Sequence, residues 1–476
     1  MTLEALRDAS SGSVIAAVDG STVSEVSGAE LLALTAGALS FLDESGFPVG
    51  DPIPALLTTS ATAQALLLAG AISGRPLAPI GPRLTPRDIA ACIGNLSSKH
   101  LLADAQHAET ATRASELAGV GLVLVDGFEP RDASGLSAPE EDSVIAYLHT
   151  SGTTGNPKAV PITDAQVAAR TTLLQGVCAI DRDSVIVAAS PFHHIAGLGF
   201  VLVAMGTGAT IVEFAHFSVQ AWKDLEVLGP THAALVATHV EMIVAGGGID
   251  MPSLRYIFYG ASVLRDVTLR TLMTERPDLN LIRWYGQTEG SPITWLSPDD
   301  HRRAYEGESW RFATVGSALP GVEIRIHEPN AEGVGEIWAR AAHLAVVDSD
   351  GWRGTGDLGV IDDGYLKLIG RSGDMIIRGG ENVYPVEVEK ALIAHPGVAA
   401  ALVIGVPDDV LGQRIRAIVE PEDRLNPPEP EELRIFCRER LAGFKVPVEW
   451  EFREQFERNV TGKIVRKPYV AEASGG

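Results

Sequence analysis

For its first three hundred residues this chain swings between two rhythms of apolar and polar positions. Ile53 to Leu57 is an apolar run of strand length, Ala61 to Ala71 is an alanine-rich stretch of helix length, and Pro76 to Ile80 returns to strand length. Pro82-Arg83-Leu84-Thr85-Pro86 then opens a further helix, with Thr85 as N-cap and Pro86 at the first helical position. Gly121 to Val125, Val144 to Leu148, Ser184 to Ala188, Ala233 to Val236 and Tyr256 to Phe258 read as more strands, with helical stretches between several of them. This alternation predicts a mostly parallel sheet covered by helices.

The texture changes after about residue 310. Val322 to Ile326 and Gly335 to Trp338 are short strands set between glycine turns, the pattern of a small antiparallel or barrel-like subdomain. Beyond the glycine-rich tract Gly370 to Gly380 the chain predicts a helix (Pro385 to Ile393), strands (Ala399 to Ile404 and Arg414 to Val419) and a helix (Glu431 to Leu441). That is the content of a compact α+β unit. The expected fold class is therefore α/β: a large N-terminal domain of layered sheets with a small β-barrel-like subdomain (1–370), and a small C-terminal α+β domain (371–476), with a hinge near Arg371. Ile195 to Val212 is uncharged but carries four glycines, and reads as a buried helix running into a strand, not a membrane span.

Chemistry enters with His149-Thr150-Ser151-Gly152-Thr153-Thr154-Gly155-Asn156-Pro157-Lys158. Glycines let backbone approach a polyphosphate, hydroxyls and N–H groups donate to its oxygens, and Lys158 supplies charge. It is not a Walker loop, because Asn156 and Pro157 separate Gly155 from Lys158 and Ala159 follows where a metal-binding hydroxyl belongs. The same residue types also build plain surface turns. The strand Val144 to Leu148 just before it favours the phosphate reading, since ligands of α/β folds gather at strand ends.

With 61 acidic and 38 basic residues the net charge is −23, which argues against nucleic acid or an anionic membrane as a bulk partner. Phe436 to Lys467 reverses the sign locally, with eight basic residues against five glutamates. A solvated surface accounts for most of these, leaving Lys463 and Lys445 to weigh for specific roles. Cys92, Cys178 and Cys437 are too far apart for a disulfide framework or a metal site, and Met1-Thr2-Leu3-Glu4 opens no secretory signal, so a reducing cytoplasm is the expected location. His193-His194 is rejected as a zinc pair, because adjacent side chains diverge and no carboxylate lies near in sequence.

Four more motifs follow in order: Tyr285-Gly286-Gln287-Thr288-Glu289-Gly290, Thr355-Gly356-Asp357, Gly370-Arg371 with Gly379-Gly380-Glu381-Asn382-Val383-Tyr384-Pro385, and Thr461-Gly462-Lys463. Together with the loop they give a pattern that resembles the adenylate-forming superfamily of acyl-CoA synthetases, carrier-protein adenylation domains and beetle luciferases, over nearly the whole chain. The resemblance implies that a carboxylate attacks the α-phosphate of ATP, pyrophosphate leaves, and a thiol captures the acyl-adenylate. It implies ATP, Mg2+ and CoA as cofactors and a small carboxylic acid as substrate. Thr150 to Gly155 and Lys158 would hold the phosphates, and Glu289 the magnesium. Gly260, Ala261 and Ser262 would line the adenine, with Tyr285 stacked on it beside Gly286, Gln287 and Thr288. Asp357 and Arg371 would hold the ribose, and Lys463 would be the catalytic lysine reaching the carboxylate and α-phosphate. His194 would close the acyl pocket, which is expected to draw on Phe200, Val236, Ala237, Thr238 and Tyr259.

Two positions depart from the family pattern. Gly373 stands where the family usually keeps an aspartate or lysine hinge, so the polar contacts that settle each domain orientation are missing, though glycine allows the rotation. Ala159 replaces a glycine. The run Gly379 to Pro385 looks like CoA synthetases, with Gly379 and Gly380 leaving room for a pantetheine arm. Adenylation alone, with transfer to a carrier protein or a partner enzyme, stays open because of Gly373, as does a non-catalytic acyl-nucleotide-binding protein.

Overall fold

The computed structural model describes residues 3–9, 12–19, 22–140, 142–151, 157–214, 217–260, 264–458 and 463–473. The chain divides into two compact units. The first comprises Met1–Phe312, Ala318–Glu323 and Arg340–Arg353; the second comprises Ala313–Ser317, Ile324–Ala339 and Gly354–Gly476.

In the first unit two sheets form around strands that the apolar runs anticipate. The larger runs, neighbour to neighbour, through Gly290–Leu296, Asn280–Gln287, Tyr256–Gly260, His232–Val236, Val185–Ala188, Thr210–Phe214, Ser13–Asp19 and Thr22–Ser27. Its centre is parallel, with Ala233 opposite Ile257 and Val187, while the 280–287 and 290–296 strands form an antiparallel hairpin at one side. The second sheet takes Ile53–Leu56, Leu77–Pro79, His100–Asp104, Gly121–Val125, Val144–Ser151 and Pro157–Thr163, parallel except for its last pair. Thr85 caps the helix Pro86–Gly94 as expected, its hydroxyl accepting from Asp88 N at 3.2 Å.

The helices Ala61–Ile72 and Ile195–Thr207 explain the most apolar segments. Ala63 to Ala71 and Gly197 to Met205 are each buried at every position. A helix that is apolar all round must be covered all round. One continuous core joins Leu66, Leu67, Leu198, Val201 and Leu202 to Ile53, Ile145, Ile186 and Phe258, with Ala61–Ile72 packed on Leu77–Pro79 and Val144–Ser151 and Ile195–Thr207 on Val185–Ala188, Thr210–Phe214 and His232–Val236. Each fully buried leucine there contributes about 1.5–3 kcal/mol of transfer free energy. The opposite face of the larger sheet carries a separate core, including Val212, Leu235, Tyr259 and Leu281, closed by Trp222 and Leu272. The opening hairpin Ser13–Asp19 and Thr22–Ser27, which extends the larger sheet, is not among the expected elements, although Val14 to Val18 is an apolar run of strand length.

The second unit holds Tyr365–Arg371 and all but the ends of Gly335–Arg340 and Trp352–Asp362, strands of a four-stranded sheet that match the predicted short-strand texture. It also holds the α+β layer of the C-terminal third, where Val398–Asp408 and Gly412–Pro421 pair antiparallel over ten positions. The helices Pro385–Ile393 and Pro430–Arg438 cover that layer through Val388, Leu392, Leu433 and Cys437.

One buried acid stands inside this framework. Glu213, 3 % exposed on the strand Thr210–Phe214, accepts from Gln64 Nε2 at 2.5 Å. Burial raises its pKa from 4.5 to about 8, and the Gln64 hydrogen bond opposes that rise. The folded pKa exceeds the unfolded one, so this group's contribution to stability is complete below 4.5 and is lost as pH rises toward and through 8. Glu213→Gln keeps the shape and removes the titration. Thermal melts between about pH 5 and pH 9 should show a flatter decline in Tm for the variant than for the parent; parallel declines would place the pH dependence elsewhere.

Candidate active site

The described ends of the phosphate-loop motif, His149 to Ser151 and Pro157-Lys158, pair antiparallel, whereas a Walker loop leads from a strand into a helix. Thr150 faces Lys158 and Ser151 faces Pro157 across the pair Val144–Ser151 and Pro157–Thr163. Lys158 is exposed and Thr150 half-buried. Gly152, Thr153, Thr154 and Gly155 lie outside the described residues, as do Ala261 and Ser262. Gly260 ends its strand so close to the next that a Cβ would meet Trp284 O at 2.8 Å.

Glu289 occupies the turn of the hairpin that joins Asn280–Gln287 to Gly290–Leu296. The register shifts between Tyr285 and Gln287, and Gly286 at that bulge would place a Cβ 2.8 Å from Ser291 Cα, so only glycine fits. Tyr285 is 7 % exposed. The turn is held by residues 343–353. Ala345 N donates to Glu289 O at 2.6 Å, His343 Nε2 donates to Pro292 O at 2.8 Å, and Leu344 packs where a side chain on Gly290 would stand. Arg353 Nη2 lies 2.7 Å from Glu289 Oε1. Sequence reasoning missed this arginine, although it stands two residues before Thr355-Gly356-Asp357. A hard cation bridging phosphates asks little more of a protein than one carboxylate. Glu289 fits that demand, provided the metal shares or displaces Arg353.

His194 precedes the buried helix Ile195–Thr207, and its carbonyl accepts from Leu198 N at 2.8 Å. The helix starts tightly because Gly197 lies under the carbonyls of Ser190 and Pro191, where a Cβ would sit 2.3–2.4 Å from both oxygens. His193 packs over Gly81, and burial first, then the neighbouring His194, lowers its pKa to about 3. It is a neutral packing residue.

Phe200 and Tyr259, both expected at the acyl pocket, belong to different cores. Phe200 stacks on Phe258 and Trp284, with centroids 5.5 and 5.6 Å away, in the core between the sheets. Tyr259 belongs to the core on the other face. Successive strand residues point to opposite faces, so positions 258 and 259 cannot share one. His301 Nδ1 lies 2.8 Å from Ser297 O and must carry the proton there, so Nε2 accepts from the Tyr259 hydroxyl at 2.8 Å. The phenol is thereby committed to the core. Val236 and Ala237 are buried where a strand passes into the helix Ala237–Ala245, and Thr238 is exposed.

In the second unit three predicted residues come together. Asp357 and Arg371 are direct partners on antiparallel strands, and Arg371 Nε donates to Asp357 Oδ1 at 2.9 Å. Asp357 is 8 % exposed. Lys463 lies near this pair, within the field of both charges, and is partly desolvated. That desolvation, with Arg371 adding to it and Asp357 opposing it, lowers its pKa below the usual lysine value. Gly373 lies in the short turn Ser372–Asp374, with open space around its α-carbon. Gly379 and Gly380 have φ of +60° and +87° and join Ile376–Arg378 to Glu381–Val383, the two-residue turn that demands left-handed residues. Lys445 binds Glu387 through two contacts of 2.8 Å, a local ion pair.

The chain matches the AMP-binding enzyme family over residues 8–346 and the AMP-binding enzyme C-terminal domain over residues 387–463. It is 30 % identical over 459 residues to the fatty acid–[acyl-carrier-protein] ligase ScoC of Streptomyces coeruleorubidus, covering 90 % of this chain and 87 % of that one. It is 31 % identical over 471 residues to a feruloyl-CoA synthase of an Amycolatopsis species, covering 92 % of each. The O-succinylbenzoate coenzyme A synthetase of Bacillus subtilis, solved with ATP and magnesium ion, superposes with a TM-score of 0.85 at 26 % identity, over 97 % of this chain and 98 % of that one.

The close approach at Gly197 makes its own test. Gly197→Ala should cost about 1–3 kcal/mol, the usual range for overpacking, read as a lower denaturant midpoint at unchanged m-value. A variant as stable as the parent would mean that the Ser190–Pro191 turn yields freely.

Proposed function

The chain belongs to the AMP-binding enzyme family, as an AMP-forming acid–thiol ligase that activates a carboxylic acid with ATP and passes the acyl group to CoA, and we propose which of its residues do this work. The observation that carries the assignment is the cluster of Asp357, Arg371 and Lys463 in the second unit. A nearly buried carboxylate suits the paired hydroxyls of a ribose, because it offers two acceptor oxygens. An ammonium beside it stands near the α-phosphate of the same nucleotide.

Lys463 supplies the positive charge that the carboxylate and α-phosphate need as negative charge builds between them. Its lowered pKa means that the charged form is held less firmly than on a free lysine, so Asp357 matters in keeping it protonated. Glu289 holds magnesium, which when bound neutralises phosphate charge during adenylation. Arg353 orients the Glu289 carboxylate. Thr150, Ser151 and Lys158, with the loop between them, take the phosphates; Gly260 to Ser262 with Tyr285 take the adenine; His194 and the strand end Val236 to Thr238 face the acyl group. Residues 371–476 form a C-terminal domain that turns about Arg371 and Gly373, and Gly379 and Gly380 lie along the pantetheine path.

Among the described residues no helix is long and apolar enough to cross a membrane. Three buried free cysteines support a reducing, cytoplasmic location.

A panel of carboxylic acids assayed in parallel for ATP–pyrophosphate exchange and for CoA thioester tests the whole reading. Exchange together with thioester is expected; exchange without thioester would point to a carrier protein as acceptor. Lys463→Ala should slow exchange by about 10²–10³-fold, the effect of losing one transition-state donor, while sparing thioester formation from supplied acyl-AMP. Equal loss in both half-reactions would contradict a role confined to adenylation.

A further inference from the structure

The segment Thr355-Gly356-Asp357 is held from the strand beside it. Gly335–Arg340 neighbours Trp352–Asp362 in the four-stranded sheet. The Thr355 hydroxyl donates to Ile337 O at 2.8 Å and accepts from Asp357 N at 3.1 Å. Between the two, Gly356 leaves the extended path with a φ of +71°, a left-handed conformation that glycine adopts without steric penalty. Its N–H donates to Glu336 Oε1 at 2.8 Å.

Glu336 is itself clamped. Trp338, two residues on and so on the same face of the strand, donates from Nε1 to Glu336 Oε2 at 2.9 Å. The indole is fixed in turn, stacked on His327 with centroids 4.3 Å apart and with the Arg325 guanidinium carbon 4.9 Å from its centroid. One carboxylate therefore answers two N–H groups, one from a held indole and one from the backbone just before Asp357. A carboxylate accepts at both oxygens, whereas an amide of the same shape would set its own N–H groups against one of these donors. Hydrogen bonds to an ionised acceptor are roughly twice as strong as neutral ones. Gly354 keeps the space open: a Cβ there would lie 2.9 Å from Glu336 Oε1 and 3.1 Å from Trp338 Nε1. A side chain at 354 would push the carboxylate off Gly356.

We propose that Glu336 is a positioning residue for nucleotide recognition: clamped by Trp338, it fixes the backbone at Gly356 and so aims the Asp357 carboxylate at the ribose hydroxyls. Arg371 Nε, 2.9 Å from Asp357 Oδ1, orients the end of that side chain. Glu336 orients its root, because a swing of the peptide before Gly356 turns the next residue with it. This inference rests on the reading of Asp357 as the ribose ligand.

Binding of ATP, 2′-deoxy-ATP and 3′-deoxy-ATP to the full chain, measured by titration calorimetry with magnesium and without any acid, tests it. The parent is expected to prefer ATP to each deoxy analogue by about 10–100-fold, the scale of a hydrogen bond to a charged group. Glu336→Ala should lose most of that preference, and Gly354→Ala should lose it with Glu336 still present. Glu336→Gln should lose it too. Adding Trp338→Phe to Glu336→Gln should restore part of it, because the donor that the amide cannot answer is then gone. If Glu336→Ala does not fold, Gly354→Ala and Glu336→Gln decide.

A preference retained in the Glu336 variants but lost in Asp357→Ala overturns the inference and leaves the ribose reading intact. Equal weakening of all three nucleotides in the Glu336 variants overturns it as well, as the mark of a merely structural role. A parent that does not distinguish ATP from its deoxy analogues, or an Asp357→Ala variant that still does, brings down the ribose reading and this inference with it.

Discussion

The first unit depends on how closely the helix Ile195–Thr207 can approach its neighbours. Gly197 lets its first turn press against two backbone carbonyls, and Gly199 lets Arg170 lie flat on it. Phe200, the next residue, stacks against Phe258 and Trp284 of the larger sheet. Glycine usually weakens a helix by roughly 0.5–1 kcal/mol relative to alanine. Here that cost is offset by a contact no larger residue permits, and by full burial of the turns that follow. The position of His194 is a consequence, because it caps the end of the helix that Gly197 pins down.

Close packing also governs the hairpin that carries Glu289. Gly286 and Gly290 are both positions where a side chain would strike a neighbour, and residues 343–353 tie the turn from outside through backbone and imidazole hydrogen bonds. The result is a carboxylate presented on a rigid turn and held by Arg353. Rigid placement suits the magnesium role proposed for Glu289, since charge stabilisation is strongest from groups that do not reorganise during reaction. The second unit solves the same problem with a strand pair: Asp357 and Arg371 face each other across two antiparallel strands, which sets their separation without any loop.

Much of this was legible in the residues. The strands and helices of the central α/β layers follow from apolar runs whose lengths suit one element each, and the apolar stretch from Ile195 to Val212 is the buried helix and strand its glycines suggested. Asp357, Arg371 and Lys463 were identified by motif, and they gather within one unit. Of the opening hairpin, Thr22–Ser27 escaped because a strand of serine and threonine lacks a strong apolar signal, whereas Val14 to Val18 is a buried apolar run that could have been read as a strand. That Phe200 and Tyr259 join different cores was not legible, because the adjacent strand positions Phe258 and Tyr259 face opposite sides of the sheet and which side meets which core is not written in composition. Gly379 and Gly380 show the converse: a conformational demand, positive φ at both, is sufficient reason for two adjacent glycines.

Local sequence determined the elements, the caps and the identity of the chemical groups, because these follow from periodicity, backbone preference and side-chain chemistry acting over a few residues. Tertiary structure alone decided which charges are answered. Arg353 reaches Glu289 across 64 positions of chain, Lys463 lies in the field of Arg371 and Asp357, and Arg170 Nε is buried with no hydrogen-bond partner among the described residues. Electrostatic partnership depends on distance and burial in space, and neither can be read from the order of residues along a chain.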